Sequence, residues 1–202
     1  FFKFPSWTRY LKNTLLLSFM NLIFYFPAPI MLALLLNEMR SLRYKKLLQT
    51  LLYVPHFISI VIVVSITMIL FGPSGIVYKA TQNVLGAPIN FLGSPNAFRW
   101  MIIGQSIWKE TGWGTIIYIS AMTSIDPALY EAASIDGAGR LQRILHVTLP
   151  GIKSTFVILL IMNIGHLMEA GFEIQYLLGN GLTAAYSRTI DIFVLEYGTQ
   201  MM

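Results

Sequence analysis

EAASIDGAGRLQRILHVTLP, running from Glu131 to Pro150, decides how this chain is built. It is a compact charged interlude between two long apolar runs, Trp100 to Ile125 and Ile152 to Leu178. Asp126-Pro127 opens it as a helix start, because an Asp carboxylate accepts from exposed amides and Pro fits the first turn. Leu129, Ala132, Ala133 and Asp136 follow at helical spacing, and the small alanines let another surface come close. Gly137 and Gly139 permit the backbone to reverse. Leu141, Ile144 and Leu145 then give a second apolar face, which Leu149-Pro150 is expected to end before the next apolar run. Helix, sharp turn, second short helix and stop make residues 126–150 a structured knob suited to docking on a soluble partner.

Composition places that knob on a membrane protein. The 202 residues are 55% hydrophobic and only 11% charged, whereas soluble domains carry roughly 25% charged residues. The net charge of +5 sits at the ends of apolar runs rather than on a continuous polar patch, which argues for membrane topology and against nucleic acid. With no Cys, thiolate metal sites and disulfides are excluded. No G-x-x-x-x-G-K-[ST] run is present to cradle phosphates, so the chain is expected to hydrolyse nothing and to hold no cofactor or metal. It starts at Phe1 without a signal-peptide pattern and ends at Met202 after an extramembrane stretch. It therefore reads as a fragment lacking spans at one or both ends.

Four apolar runs are expected to cross the bilayer: Leu15 to Leu36, Leu47 to Phe71, Trp100 to Ile125 and Ile152 to Leu178. A span needs about 20 residues. Pro27 and Pro29 predict a kink in the first, buried against neighbouring helices. Pro55 and His56 lie in the second, with His56 expected as a buried, hydrogen-bonded side chain. Arg40, Arg43, Lys45 and Lys46 fill the loop after the first span, and Arg140, Arg143 and Lys153 surround the one after the third. By the positive-inside rule residues 40–46 and 126–150 face the cytoplasm and the long loop 72–99, with only Lys79 and Arg99, faces outward. That outer loop is rich in Gly-Pro turns, and Ile76 to Leu85 predicts a short helix within it. Trp7, Arg9, Tyr10 and Lys12 read as an interfacial lead into the first span.

Glu131-Ala132-Ala133, Gly137 and Leu149-Pro150 resemble, at matching spacings, the EAA loop of permease subunits of bacterial binding-protein-dependent ABC importers. That pattern has Ile two residues before the Leu-Pro, where this chain has Val147. The resemblance covers nearly the whole chain and implies the all-α, polytopic type I importer permease fold as a single domain, residues 1–202. It implies that the loop is a coupling helix docking on an ATP-hydrolysing subunit. Glu131 would make the polar contact, Ala132 and Ala133 the close fit and Gly137 the turn, with Asp136, Gly139, Leu149 and Pro150 completing the element. ATP and Mg would belong to that partner. A second permease of different sequence, a periplasmic or extracellular solute-binding protein and membrane lipid complete the implied partners, in the bacterial inner membrane.

Asn13-Thr14-Leu15, Pro27-Ala28-Pro29-Ile30, Tyr53-Val54-Pro55-His56-Phe57, Ile89-Asn90-Phe91-Leu92-Gly93 and Trp108 to Trp113 are similar to permeases for complex oligosaccharides. That branch includes uptake systems for fragments of acidic plant or algal polysaccharides.

Polar groups at mid-bilayer are costly and face protein or a cavity. At about 100° per residue, Asn163, His166, Glu169, Ala170 and Glu173 fall within an arc of roughly 120°, a stripe expected to line the translocation path. In the third span Gln105, Trp108, Lys109, Glu110 and Trp113 offer aromatic platforms beside polar donors, the combination that a sugar's C–H faces and hydroxyl rims require. Lys109 and Glu110 leave the helix about 100° apart, so each is expected to have its own partner. Two other readings remain: an importer permease for a non-sugar solute, and an ion-coupled transporter using His166, Glu169 and Glu173, which leaves the docking loop unexplained. A metal-bearing membrane enzyme would need those three residues to match a hydrolase spacing, and they do not.

Overall fold

The computed structural model describes residues 7–169 and 171–200, and all regular structure among them is helical. Helix α1 (Trp7–Met20) passes through a π-helical turn at Asn21–Tyr25 into α2 (Pro27–Asn37). Pro27 and Pro29 lie in the first turn of α2, where a missing N–H breaks no intrahelical bond. The irregularity they impose therefore falls just before them, in the π turn. The interfacial lead at Trp7 is simply the first part of this 31-residue helix.

The second apolar run is broken, contrary to the continuous span expected. Helix α3 (Leu42–Phe57) begins inside the basic loop and contains Pro55, and Ser59, with an extended ψ of 139°, starts α4 (Ile60–Phe71). Proline removes an amide and crowds the preceding turn; here the chain leaves the helix three residues later. Helix α5 (Ile76–Leu85) occupies the residues expected of it, closed by Gly86. Helix α6 (Pro95–Thr123) runs unbroken for 29 residues through Lys109 and Glu110.

After α7 (Pro127–Ile135) the chain turns into α8 (Arg140–Arg143), a π-helical turn at Ile144–Thr148 and α9 (Leu149–Gly151). Pro150 does not end this stretch. It sits within the first two positions of α9, and the break comes at Ile152, where the axis bends by 61° into α10 (Lys153–Gly165). The fourth apolar run is also interrupted: α10 ends at Gly165 and α11 (Phe172–Leu178) starts after Gly171, whose φ is +76°. Short α12 (Ala184–Ser187) and α13 (Ile190–Gln200) follow. By length and composition Trp7–Asn37 and Ile60–Leu85 are each able to cross a bilayer, and the bent pair Arg140–Gly151 and Lys153–Gly165 makes a third if counted together.

The chain forms two compact units, Phe1–Ile23 with Phe57–Ser106 and His166–Met202, and Phe24–His56 with Ile107–Gly165. Val64, Phe98, Met101, Ile102 and Leu178 make the core of the first. Buried Asn13 ties it together: its amide donates to the carbonyls of Ala185 and Arg188 at 3.0 Å each, and its oxygen accepts from Arg99 at 3.2 Å. Thr14 accepts from the Ile190 amide and Asn180 donates to the Leu92 carbonyl, both at 3.0 Å. Burial pulls the Arg99 pKa down from its ordinary value, and neighbouring Tyr186 works the other way.

Ala33, Tyr118, Met122 and Ile152 make the core of the second unit. Between apolar helices in lipid, close packing and hydrogen bonds replace the hydrophobic drive, and small residues let backbones approach. Gly112 is the sharpest case. A Cβ there would lie 1.9 Å from the Leu52 carbonyl oxygen, so any side chain would force α3 and α6 apart.

Candidate functional site

Residues 126–150 form the helix, turn and second helix that their sequence predicts, without the stop expected at Pro150. Asp126 caps α7 by accepting from the Ala128 amide at 2.9 Å, with Pro127 in the first turn. At the far end the Gly137 and Ala138 amides donate to the carbonyls of Ser134 and Ala133, at 3.1 and 2.9 Å. Gly137 takes φ +78° there, a conformation that residues with a Cβ adopt at a cost. The Gly139 amide is met by the Gln142 side chain at 2.7 Å, which starts α8. Arg143 reaches back to Ser134 at 3.1 Å, and Tyr130 shares a 3.0 Å hydrogen bond with buried Thr148. The two arms are thus braced by their own side chains. Glu131, Ala132 and Asp136 remain exposed, as do Leu129, Ile135, Leu141 and Leu145.

The second unit also holds a cavity of about 170 Å³, lined by Tyr25, Phe26, Pro29, Trp113, Gly114, Ile117, Tyr118, Leu159 and Asn163. Three separate stretches build it. The π turn before Pro27 delivers Tyr25 and Phe26, one face of α6 delivers Trp113 with Ile117 and Gly114 with Tyr118 at i, i+4 spacing, and α10 delivers Leu159 and Asn163. Asn163 spends one amide hydrogen on the Leu159 carbonyl of its own helix at 2.9 Å. Four of the nine lining residues are aromatic, and Asn163 is the one side-chain amide among them.

Two of the nine pathway residues read from sequence, Trp113 and Asn163, line this cavity. Lys109 and Glu110 converge instead on His56. Glu110 Oε2 lies 2.7 Å from His56 Nδ1, and Lys109 donates to the His56 carbonyl at 2.7 Å while standing 3.3 Å from Glu110 Oε1. The expectation of separate partners was incomplete, because long side chains diverging at Cβ meet again at their tips. The His56 ring in turn lies flat on Trp113, with centroids 4.5 Å apart and planes within 3°.

Gln105 is buried and donates to Thr67 at 2.9 Å, a helix-to-helix bond. Trp108 is exposed. The helix carrying Asn163 stops at Gly165, so the 100° rule behind the expected stripe lapses beyond it. His166 and Glu169 pair with each other at 2.9 Å on the surface, Glu173 is exposed on α11, and Ala170 lies outside the described residues. A second cavity of about 250 Å³ in the other unit is lined by Gln175, Tyr176, Asn180, Arg188 and Glu196, among others, and by none of the residues read from sequence. Sequence reasoning missed Tyr25, Phe26 and Tyr118. The i, i+4 register with Gly114 pointed to Tyr118, and the paired prolines marked Tyr25 and Phe26 as residues of a break.

Residues 11–202 match the family described as "Binding-protein-dependent transport system inner membrane component". The chain belongs to this family. Among the curated relatives of this inner membrane component are Protein LplB of Bacillus subtilis (strain 168), 48% identical over 98% of the chain, and the polygalacturonan/rhamnogalacturonan transport system permease protein YteP of the same organism, 49% identical over 96%. The matched stretch spans 63% and 61% of those two proteins. A chain of a bacterial ABC transporter involved in the import of the acidic polysaccharide alginate superposes with a TM-score of 0.95 at 42% identity, covering 99% of this chain and 70% of that one. A second structure of a bacterial alginate ABC transporter, in complex with a periplasmic protein bound to alginate pentasaccharide, gives 0.94 at the same identity and coverage. The fold is the type I ABC importer permease fold, and the family places the chain in the inner membrane.

Proposed function

We propose that this chain forms one half of the membrane channel of an ATP-driven importer of oligosaccharides, with fragments of acidic polysaccharides as its cargo. It acts without catalysing a reaction itself. The observation that carries this reading is the braced knob, which displays Glu131, Ala132 and the apolar side chains Leu129, Ile135, Leu141 and Leu145 while its internal polar groups are satisfied. An exposed apolar surface rimmed by charge on an otherwise rigid element suits a protein partner, here the cytoplasmic ATP-binding subunit with its ATP and Mg.

Residues 40–46 and 126–150 face the cytoplasm in this reading, and 72–99 faces the solute-binding protein outside. In support, residues 13–14, 92–99 and 180–190, which alternation of spans puts at one membrane face, bond to one another. Nucleotide-driven movement of the partner enters through the knob. It biases the spans between outward and inward openings only to the extent that its contacts differ in the two states. The aromatic cavity with Asn163 is the place where a sugar ring would rest in transit, a second and different permease chain supplying the facing half. The names of YteP and the alginate importer favour uronate-bearing cargo.

Reconstitution of the whole transporter in vesicles tests this. Uptake of oligogalacturonate or oligoalginate should require ATP inside and binding protein outside, and Glu131→Lys should uncouple hydrolysis from uptake. Nucleotide-independent uptake would overturn the importer reading; coupling intact in Glu131→Lys would overturn the docking role.

A further inference from the structure

We infer that His56 and Glu110 are positioning residues for the sugar site, holding the Trp113 ring in the orientation that makes it a cavity wall. The inference rests on the cavity reading above. Trp113 has two tasks that share one ring: it lines the cavity beside Tyr25, Tyr118 and Asn163, and it carries the His56 imidazole in near-parallel contact at 4.5 Å. Trp113 keeps 44% of its surface exposed even with the imidazole against it, so the orientation of its ring depends on the contacts it makes. The imidazole packs on one of its faces, and His56 is itself held at two points, one on the ring and one on the backbone. Its Nδ1 is held by Glu110 at 2.7 Å, and the carbonyl of the same residue is held by Lys109 at 2.7 Å.

The placement follows from the break in the second apolar run. Helix α3 stops at Phe57, so the His56 carbonyl has no amide four residues on within the helix, and Lys109 supplies a cation to it, where the helix dipole favours positive charge. Glu110, next to it in sequence, is thereby brought to the imidazole. Glu110 and Trp113 stand three residues apart on α6, so one helix face presents both the anchor and the platform, with His56 closing the triangle. The Lys109–Glu110 pair within α6 thus acquires a task distinct from touching cargo: it sets the angle of the surface on which cargo rests.

The test uses the assembled transporter. These 202 residues hold no cysteine; in a transporter freed of any other, Ile117→Cys gives a single label site in the cavity wall, and the concentration of a uronate pentasaccharide that half-protects it from maleimide reads affinity there. His56→Ala and Glu110→Ala should each raise that concentration about three- to tenfold, the scale of one aromatic contact. Labelling without sugar should keep its rate. The double variant should be no worse than either single one, since both act through one ring, and Glu110→Gln, which keeps a hydrogen-bond acceptor, should stay close to the parent. An unchanged half-protecting concentration in His56→Ala, or additive effects in the double variant, overturns the inference. If an Ala variant changes the unprotected labelling rate, Glu110→Gln and His56→Phe decide: binding equal to the parent in His56→Phe would show the Glu110 anchor to be idle. Absence of protection in the parent, or protection indifferent to Trp113→Ala, sinks the cavity reading itself, a result distinguishable from failure of the positioning role alone.

Discussion

Tyr130 and Thr148, eighteen residues apart, share a hydrogen bond of 3.0 Å that closes the knob at its base. Thr148 is buried, and its hydroxyl is also 3.5 Å from the Arg143 carbonyl. Removing the phenol oxygen by Tyr130→Phe leaves the ring in place and deletes one net hydrogen bond, about 1 kcal/mol. The knob should loosen without unfolding. We expect vesicles carrying Tyr130→Phe to hydrolyse more ATP per sugar imported, measured as the ratio of phosphate released to sugar taken up.

Gly137 should tolerate substitution according to backbone conformation and not size, because no atom lies within 4 Å of a Cβ built there. Gly137→Ala should cost about 1 kcal/mol and Gly137→Asn less, since Asn enters the left-handed region more easily. Thermal unfolding in detergent, with Gly137→Val as the most strained variant, checks the order. A ranking by volume that placed Asn below Ala would contradict the argument.

Gly112 behaves in the opposite way. Its φ is ordinary, and the obstacle is the Leu52 carbonyl 1.9 Å from any Cβ. Gly112→Ala should destabilise by about 1–3 kcal/mol, the usual range for overpacking, and lower the yield of assembled transporter. Gel filtration of the expressed complex gives the readout, and normal yield and melting temperature would show that α3 and α6 yield more easily than their packing implies.

Asn13 joins three partners with one side chain. Asn13→Leu, nearly the same size, should strand two carbonyls and the Arg99 guanidinium at about 1–3 kcal/mol for each group left unsatisfied. Hydrogen exchange should quicken selectively across residues 180–190, where the Ile190 amide and the Ala185 and Arg188 carbonyls are engaged. Uniform acceleration over the whole chain would instead indicate global destabilisation.

Sidedness has its own test. With no native cysteine in this chain, Ser134→Cys should react with an impermeant maleimide only from the cytoplasmic side and Gly181→Cys only from outside.

The helix starts and the turn of the knob were readable in sequence because their determinants are local: the Asp126 cap, the Gly137 turn and the Gln142 contact to Gly139 all act within four residues. Helix α5 was readable for the same reason. The breaks at Ile58-Ser59 and after Gly165 were not, since mean hydropathy is blind to a change of backbone conformation inside an apolar run. The cavity was half readable. Trp113 and Asn163 stood out as polar or amphipathic groups in apolar spans, but the aromatic residues Tyr25 and Tyr118 are brought to them only by tertiary folding. Lys109 and Glu110 misled because direction at Cβ says little about where the end of a long side chain will rest.

The 61° elbow at Ile152 joins the arm running from Arg140 to Gly151 with the rod running from Lys153 to Gly165. A thrust along the first is delivered largely crosswise to the second, as by a crank. Asn163 rides near the far tip of that rod, where a small swing at the elbow sweeps the widest path.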